Sequence, residues 1–143
     1  MPTTRQAPRI VPELVVSDHR RSMDFYCGVL GFTEMYGRPE DGFSKLDLDG
    51  AAIMIEQRRG DAWIADELSY PFGRGINLEI NVDGADALYR ACLAAGAKIF
   101  LPLEEKWYRG NDVLIGVRQF IVLDPDGYLL RLSQSIGLRR NEG

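Results

Sequence analysis

Glu56 and Arg131 are charged residues standing in runs that alternate like half-buried strands. Ala52, Met54 and Glu56 share one side of the run Ala52–Gln57, and Leu129, Arg131 and Ser133 share one side of Leu129–Gln134. A carboxylate at such a place can act as a general base. Burial would raise its pKa and a nearby arginine would lower it, so the two influences oppose. A lone buried charge costs several kcal/mol unless it is paired or hydrated. A water-filled cavity meets that requirement, and so does a solvent-facing side; the alternation fits both. Other reactive groups are few. His19 is the sole histidine and stands beside Arg20 and Arg21 at a helix start, where a surface position is expected. Cys27 and Cys92 form no CxxC pair and are expected to pack helices onto sheets. There is no glycine-rich phosphate loop, no GxSxG elbow and no Cys–His pair. Asp124-Pro-Asp-Gly127 has the composition of a turn, with proline fixing φ and glycine relieving a positive φ. Its carboxylates resemble a piece of a calcium loop whose other ligands are missing.

The elements that must position these residues occur twice. The first series is a strand over 10–16, a helix over His19–Val29 after the cap candidates Ser17 and Asp18, and a helix stop at Gly31. Strands Thr33–Tyr36, Phe43–Leu48 and Ala52–Gln57 follow. The second series is a strand Ile76–Val82, a cap at Asp83, a helix Ala85–Ala95 and a stop at Gly96. Strands Lys98–Leu101, Val117–Leu123 and Leu129–Gln134 complete it. The reading is α+β: one domain over 1–143, made of two tandem βαβββ modules at about 8–57 and 76–135, joined by a linker over 58–75. One helix covers only one face of a four-stranded sheet. Two modules that curl their bare faces together leave a cleft between them.

Composition narrows the function. The 143 residues are 45% hydrophobic and 27% charged, with net charge −4. The isoelectric point is about 5.0. An acidic chain lacks the basic face that nucleic acid requires. No apolar run approaches the ~18 residues of a membrane span. With no leader pattern before the first strand, and two unpaired cysteines, a cytoplasmic protein is expected.

Four stretches carry a resemblance to a known family. They are Leu14-Val-Val-Ser-Asp18, Ser22-Met-Asp-Phe-Tyr-Cys-Gly-Val-Leu-Gly-Phe32, Ile76-Asn-Leu-Glu-Ile-Asn-Val-Asp83 and Gln119-Phe-Ile-Val-Leu-Asp-Pro-Asp-Gly-Tyr-Leu-Leu-Arg-Leu132. The chain resembles the vicinal oxygen chelate superfamily of glyoxalase I, extradiol dioxygenases, fosfomycin-modifying enzymes and bleomycin resistance proteins. In its enzymes, His or Glu at matched positions of the two modules hold a divalent metal. The resemblance carries those positions onto Val11, Glu56, Asn77 and Arg131, of which only Glu56 is a good ligand. No metal and no cofactor are therefore expected, and Glu56 and Arg131 are expected to pair in the vacated centre.

The resemblance is nearest to the metal-free bleomycin resistance branch. It implies a homodimer that sequesters a small, bleomycin-like molecule in a groove shared between subunits. Flat aromatic surfaces suit such a groove. The expected ligand residues are Phe43, Met54, Glu56, Trp63, Asn77, Trp107, Tyr108, Arg118, Phe120 and Arg131. The stretch Trp107–Gln119, with Gly110, Asn111, Asp112 and Gly116, is expected to be a hairpin loop at the groove mouth. Arg118 has two open roles, reaching a ligand carboxylate or pairing with Glu104. The alternatives to sequestration are a glyoxalase-like or dioxygenase-related metalloenzyme, and a metal-free isomerase or lyase using Glu56.

Overall fold

The computed structural model describes residues 8–142. Strand β1 (Glu13–Val16) leads into helix α1 (His19–Met23), whose start is capped by the Asp18 carboxylate accepting the Arg21 N–H at 3.1 Å. The predicted single helix does not continue as α. It widens into a π-helix over Asp24–Val29, with the Leu30 N–H donating to the Phe25 carbonyl at 3.1 Å. Strands β2 (Thr33–Arg38), β3 (Phe43–Leu48) and β4 (Ala51–Gln57) follow. Their sheet has the order β1-β4-β3-β2, with β1 and β4 parallel and the other pairs antiparallel.

The second series repeats this plan. It comprises β5 (Asn77–Asn81), α2 (Ala85–Ala94), β6 (Lys98–Gly110), β7 (Val113–Leu123) and β8 (Leu129–Arg140), in the order β5-β8-β7-β6. The α+β, two-module architecture is thus as the repeat implies. The cap of α2 differs from expectation: Gly84 and not Asp83 occupies the N-cap, and Gln134 Oε1 accepts the Ala85 N–H at 3.1 Å.

The strands of the second sheet are longer than the sequence signals suggest. The stretch Trp107–Gln119, expected to be a hairpin loop, is a hairpin whose strands β6 and β7 run up to a turn at Asn111 and Asp112, with Asn111 at φ 61°. The last residues from Leu138 continue β8, and Arg140 pairs with Val113. Gly143 lies outside the described residues.

Period two decides which side chains are sealed. Leu14, Val16, Ile53 and Ile55 of the first sheet and Phe120, Val122, Leu130 and Leu132 of the second enter one core, with Tyr26, Leu30 and Cys92 from the helical segments. Cys27 packs against this core and Cys92 is buried in it, and both are free thiols.

Polar groups tie the two halves together along this seam. The Tyr26 hydroxyl donates to Asp124 Oδ2 at 2.7 Å, and Asp124 Oδ1 accepts the N–H groups of Asp126 and Tyr128 at 2.9 Å each. The Ser17 N–H donates to Asp126 Oδ2 at 3.0 Å, and the Tyr128 hydroxyl donates to the Val15 carbonyl at 2.8 Å. Burial pushes the Asp124 carboxyl up to about 6, outweighing its three donors. Asp124–Gly127 is the turn its composition suggests, closed by Gly127 N–H to the Asp124 carbonyl at 3.0 Å. Its two carboxylates also latch one sheet to the other.

Candidate functional site

The faces turned away from this core are the candidate site. On the first sheet, Ile53 and Ile55 point into the core, so Met54 and Glu56 point the other way. Glu56 lies 2.6 Å from Arg59, which also reaches Asp61 at 2.7 Å and Asp41 at 3.4 Å. Glu13, on the neighbouring strand, hydrogen-bonds Glu56 through its carboxyl group. Its pKa is raised by burial and then by that bond and the Glu56 charge, while Arg38 and Arg59 pull it down. Glu13, Arg38, Glu56, Arg59, Asp61 and Trp63 line a recess of about 360 Å³. Trp63 is 94% exposed on the segment between the sheets. Phe43, the strand partner of Glu56, is itself covered. The Arg38 guanidinium lies 4.0 Å over its ring and the Tyr36 ring is 6.0 Å away.

On the second sheet, Leu130 and Leu132 face the core, which turns Arg131 outward. Arg131 sits 2.8 Å from Glu79, its direct partner on β5, and Asn77 is exposed at the start of that strand. The expected Glu56–Arg131 pair is therefore not formed: each charge is met by a partner from its own half. Gln119 of β7 donates its amide hydrogens to the Tyr108 hydroxyl at 2.6 Å and to Glu104 Oε1 at 3.0 Å.

Three of the expected residues lie elsewhere. Phe120 is fully buried with its ring 5.1 Å from that of Tyr89 on α2, so it is a core residue. Arg118 neither pairs with Glu104 nor faces the outer side; its guanidinium is 3.8 Å from Asp86 of α2. Trp107 and Tyr108 do not make a joint platform, because consecutive strand residues face opposite sides. Trp107 lies flat over Gly116, where a Cβ would meet its ring at 2.6 Å, and Arg139 stacks on it at 3.8 Å. His19, expected at the surface, is part-buried with Nε2 2.9 Å from Ser44 Oγ, which donates to Glu34 at 3.0 Å.

Sequence reasoning missed Glu13, Glu104 and Gln119. Glu13 carries a readable signal: it alternates with Val11 and Val15 on a strand that must lie beside the one bearing Glu56. Gln119 was quoted only as part of a motif, and its place depends on the β6 register, which the sequence leaves open.

Comparison with known proteins decides the family. The profile of the Glyoxalase/Bleomycin resistance protein/Dioxygenase superfamily matches residues 8–132. The chain belongs to this superfamily. Bleomycin resistance proteins of Geobacillus stearothermophilus and Staphylococcus aureus are each 30% identical over 137 residues, covering 88% of this chain and 96% of theirs. Among solved structures, TioX from Micromonospora sp. ML1 superposes with a TM-score of 0.68 at 25% identity, covering 91% of this chain and all of TioX. A protein of unknown function from Agrobacterium tumefaciens reaches 0.69 at 22% identity, covering 93% and 98%.

Metal-dependent members of the superfamily need a set of donors that these residues do not supply. The matched positions hold Val11, Glu56, Asn77 and Arg131, and the arginine brings a fixed positive charge with no lone pair. No cluster of three or more His, Cys, Asp or Glu suited to a metal occurs among the described residues. The site does not fit a divalent cation. No helix among the described residues is long and apolar enough to cross a membrane.

Proposed function

We propose that this superfamily member is a binding protein of bleomycin resistance type. It sequesters a planar, amphipathic small molecule without turnover, and a second copy of the chain completes the groove. The observation that carries this reading is the Trp63 recess. An almost fully exposed indole stands beside a cavity lined by three carboxylates and two arginines, one of which, Arg59, is bonded to carboxylates on three residues. That combination offers a stacking surface with an acidic rim. The relatives named as bleomycin resistance proteins support the same class of ligand. Met54, Glu56 and Trp63 would serve from the first sheet, and Asn77, Tyr108 and Arg131 from the second.

A second copy of the chain is supported by Tyr108, Ile115 and Leu138. These are cross-strand partners that form an exposed apolar row across β6, β7 and β8. A metal-free isomerase or lyase is the second reading, favoured by one observation: Glu13, its pKa raised by burial and by Glu56, lines the same recess as Glu56, so two carboxyl groups stand together there. Against that reading, Glu56 is already engaged by Arg59 at 2.6 Å.

Calorimetric titration of the metal-free protein with bleomycin tests the proposal. Saturable binding near one drug per chain, with the drug recovered unchanged, is expected. Absence of heat at high drug concentration removes bleomycin as the ligand. Chemical change of the drug favours the second reading.

A further inference from the structure

Arg59 spends each nitrogen of its guanidinium on a different acid. Nη2 lies 2.6 Å from Glu56 Oε1, Nε 2.7 Å from Asp61 Oδ1 and Nη1 3.4 Å from Asp41 Oδ1. Glu56, Asp61 and Arg59 itself line the recess beside Trp63, while Asp41 is not part of the lining. Carboxylates that accept from a flat fork of N–H groups, with an aromatic face alongside, are what a planar cation needs. The chain fills that position with its own side chain. The hold is loose, because Arg59 is 40% exposed and Asp61 80%, and exposed pairs of this kind contribute little each. A cation from outside that takes the same carboxylates replaces like with like.

We propose that Arg59 is a displaceable internal ligand: its guanidinium holds Glu56 and Asp61 until a planar cation on the incoming molecule, an aryl amidine or guanidine, takes them over. This rests on the reading that the Trp63 recess receives the ligand. The displaced guanidinium keeps a partner in Asp41, which offers its carboxylate and also its backbone carbonyl, 3.4 Å from Arg59 Nη1. The segment bearing Trp63 does not depend on Arg59 for its place. The Arg58 N–H donates to the Val16 carbonyl at 2.7 Å, and the Arg58 guanidinium donates to the Leu68 carbonyl at 3.0 Å and lies 5.1 Å over the Phe72 ring. Arg38 is the contrast. It brings the same charge to the same recess, but it pairs with Asp41 at 3.3 Å and stacks on Phe43 at 4.0 Å, so it leaves Glu56 and Asp61 alone. A position that is already filled lowers apparent affinity in proportion to the time it is closed. Arg59 in place about nine-tenths of the time weakens a planar cation about tenfold.

The test is a titration of the whole nitrogen-15-labelled chain with benzamidine and, separately, with its uncharged counterpart benzamide, followed by NMR. Benzamidine is expected to move the Arg59 Nε–H and Trp63 indole N–H signals along one saturable curve, and benzamide to leave the Arg59 signal unmoved. Arg59→Gln should tighten benzamidine about tenfold. Arg38→Gln, which removes an equal charge from the same recess, should tighten it only about twofold. Equal gains from the two variants would reveal an effect of net charge alone and overturn the displacement. An unchanged or weaker Kd in Arg59→Gln, or an Arg59 signal that ignores benzamidine up to its solubility limit, would overturn it too. Bleomycin binding without a benzamidine response at Arg59 sinks this inference alone. Displacement of Arg59 by benzamidine in a protein that does not bind bleomycin sinks only the drug reading.

Discussion

On β7, Phe120 is sealed against Tyr89 while its neighbour Gln119 keeps an oxygen with no hydrogen-bond partner among the described residues; on β4, Ile55 is fully buried while Glu56 faces an open recess. The seam side of each sheet is apolar, and bonds such as those to Asp124 and Asp126 hold several of its polar groups, while Ser22 Oγ on α1 is buried with no hydrogen-bond partner among the described residues. The outer side carries an acid–acid contact on one sheet, an ion pair on the other and two side-chain atoms without hydrogen-bond partners among the described residues. If the outer faces receive the ligand as proposed, residues one step apart on a strand serve stability and binding separately. Changes on the seam should cost folding energy, and changes on the outer faces should cost affinity.

Phe120→Ala is the most severe way to probe this division. Emptying that core position should cost about 3–5 kcal/mol in denaturant unfolding. Trp63→Ala should stay within about 0.5 kcal/mol of the parent. Similar costs for both would break the division.

Asp124 supplies the next effect. Its carboxyl stands at about 6 in the fold against an ordinary 3.8, so the folded chain holds a proton that the unfolded chain has already lost. This contribution to stability is complete below about pH 4 and is lost as pH rises through about 6. Relative to Asp124→Asn, the parent protein should lose about 3 kcal/mol of unfolding free energy across that window. A constant difference between the two proteins would show that the seam does not hold this proton.

Affinity comes third. Trp63→Ala should weaken the drug about tenfold by removing one stacking face, measured by the same calorimetry. An unchanged Kd would move the ligand away from the recess. The smallest effect belongs to Glu79→Gln. Glu79 and Arg131 are partly exposed, so solvent screens their attraction and the loss should be below about 1 kcal/mol by thermal or urea unfolding. A larger loss would make the outer face a structural element after all.

The fold was legible because its signals are local. Alternation, the Asp18 cap and the paired series of elements are written in neighbouring residues. The site was legible only in part. Period two puts Met54 and Glu56 on one side of β4 and Arg131 on one side of β8, since each needs only its own strand, but it left open what that side faces. Partner choice was not readable: Glu56 meets Arg59 and Arg131 meets Glu79 because sheet register brings those groups together first. Phe120 and Arg118 were misassigned for a related reason. The length of β6 and β7 fixes which way each side chain points, and the run from Trp107 to Gln119 had the glycines and polar residues of a loop. Asn111 and Asp112 were the available hairpin signal there.

Hydrogen exchange with and without bleomycin tests the division between faces most directly. The account predicts slowed exchange in β4, in β8 around Arg131, in β6 around Tyr108 and in the segment bearing Trp63, with α1, α2 and the Asp124 turn unchanged. Protection confined to the seam, with the outer strands unaffected, would contradict it.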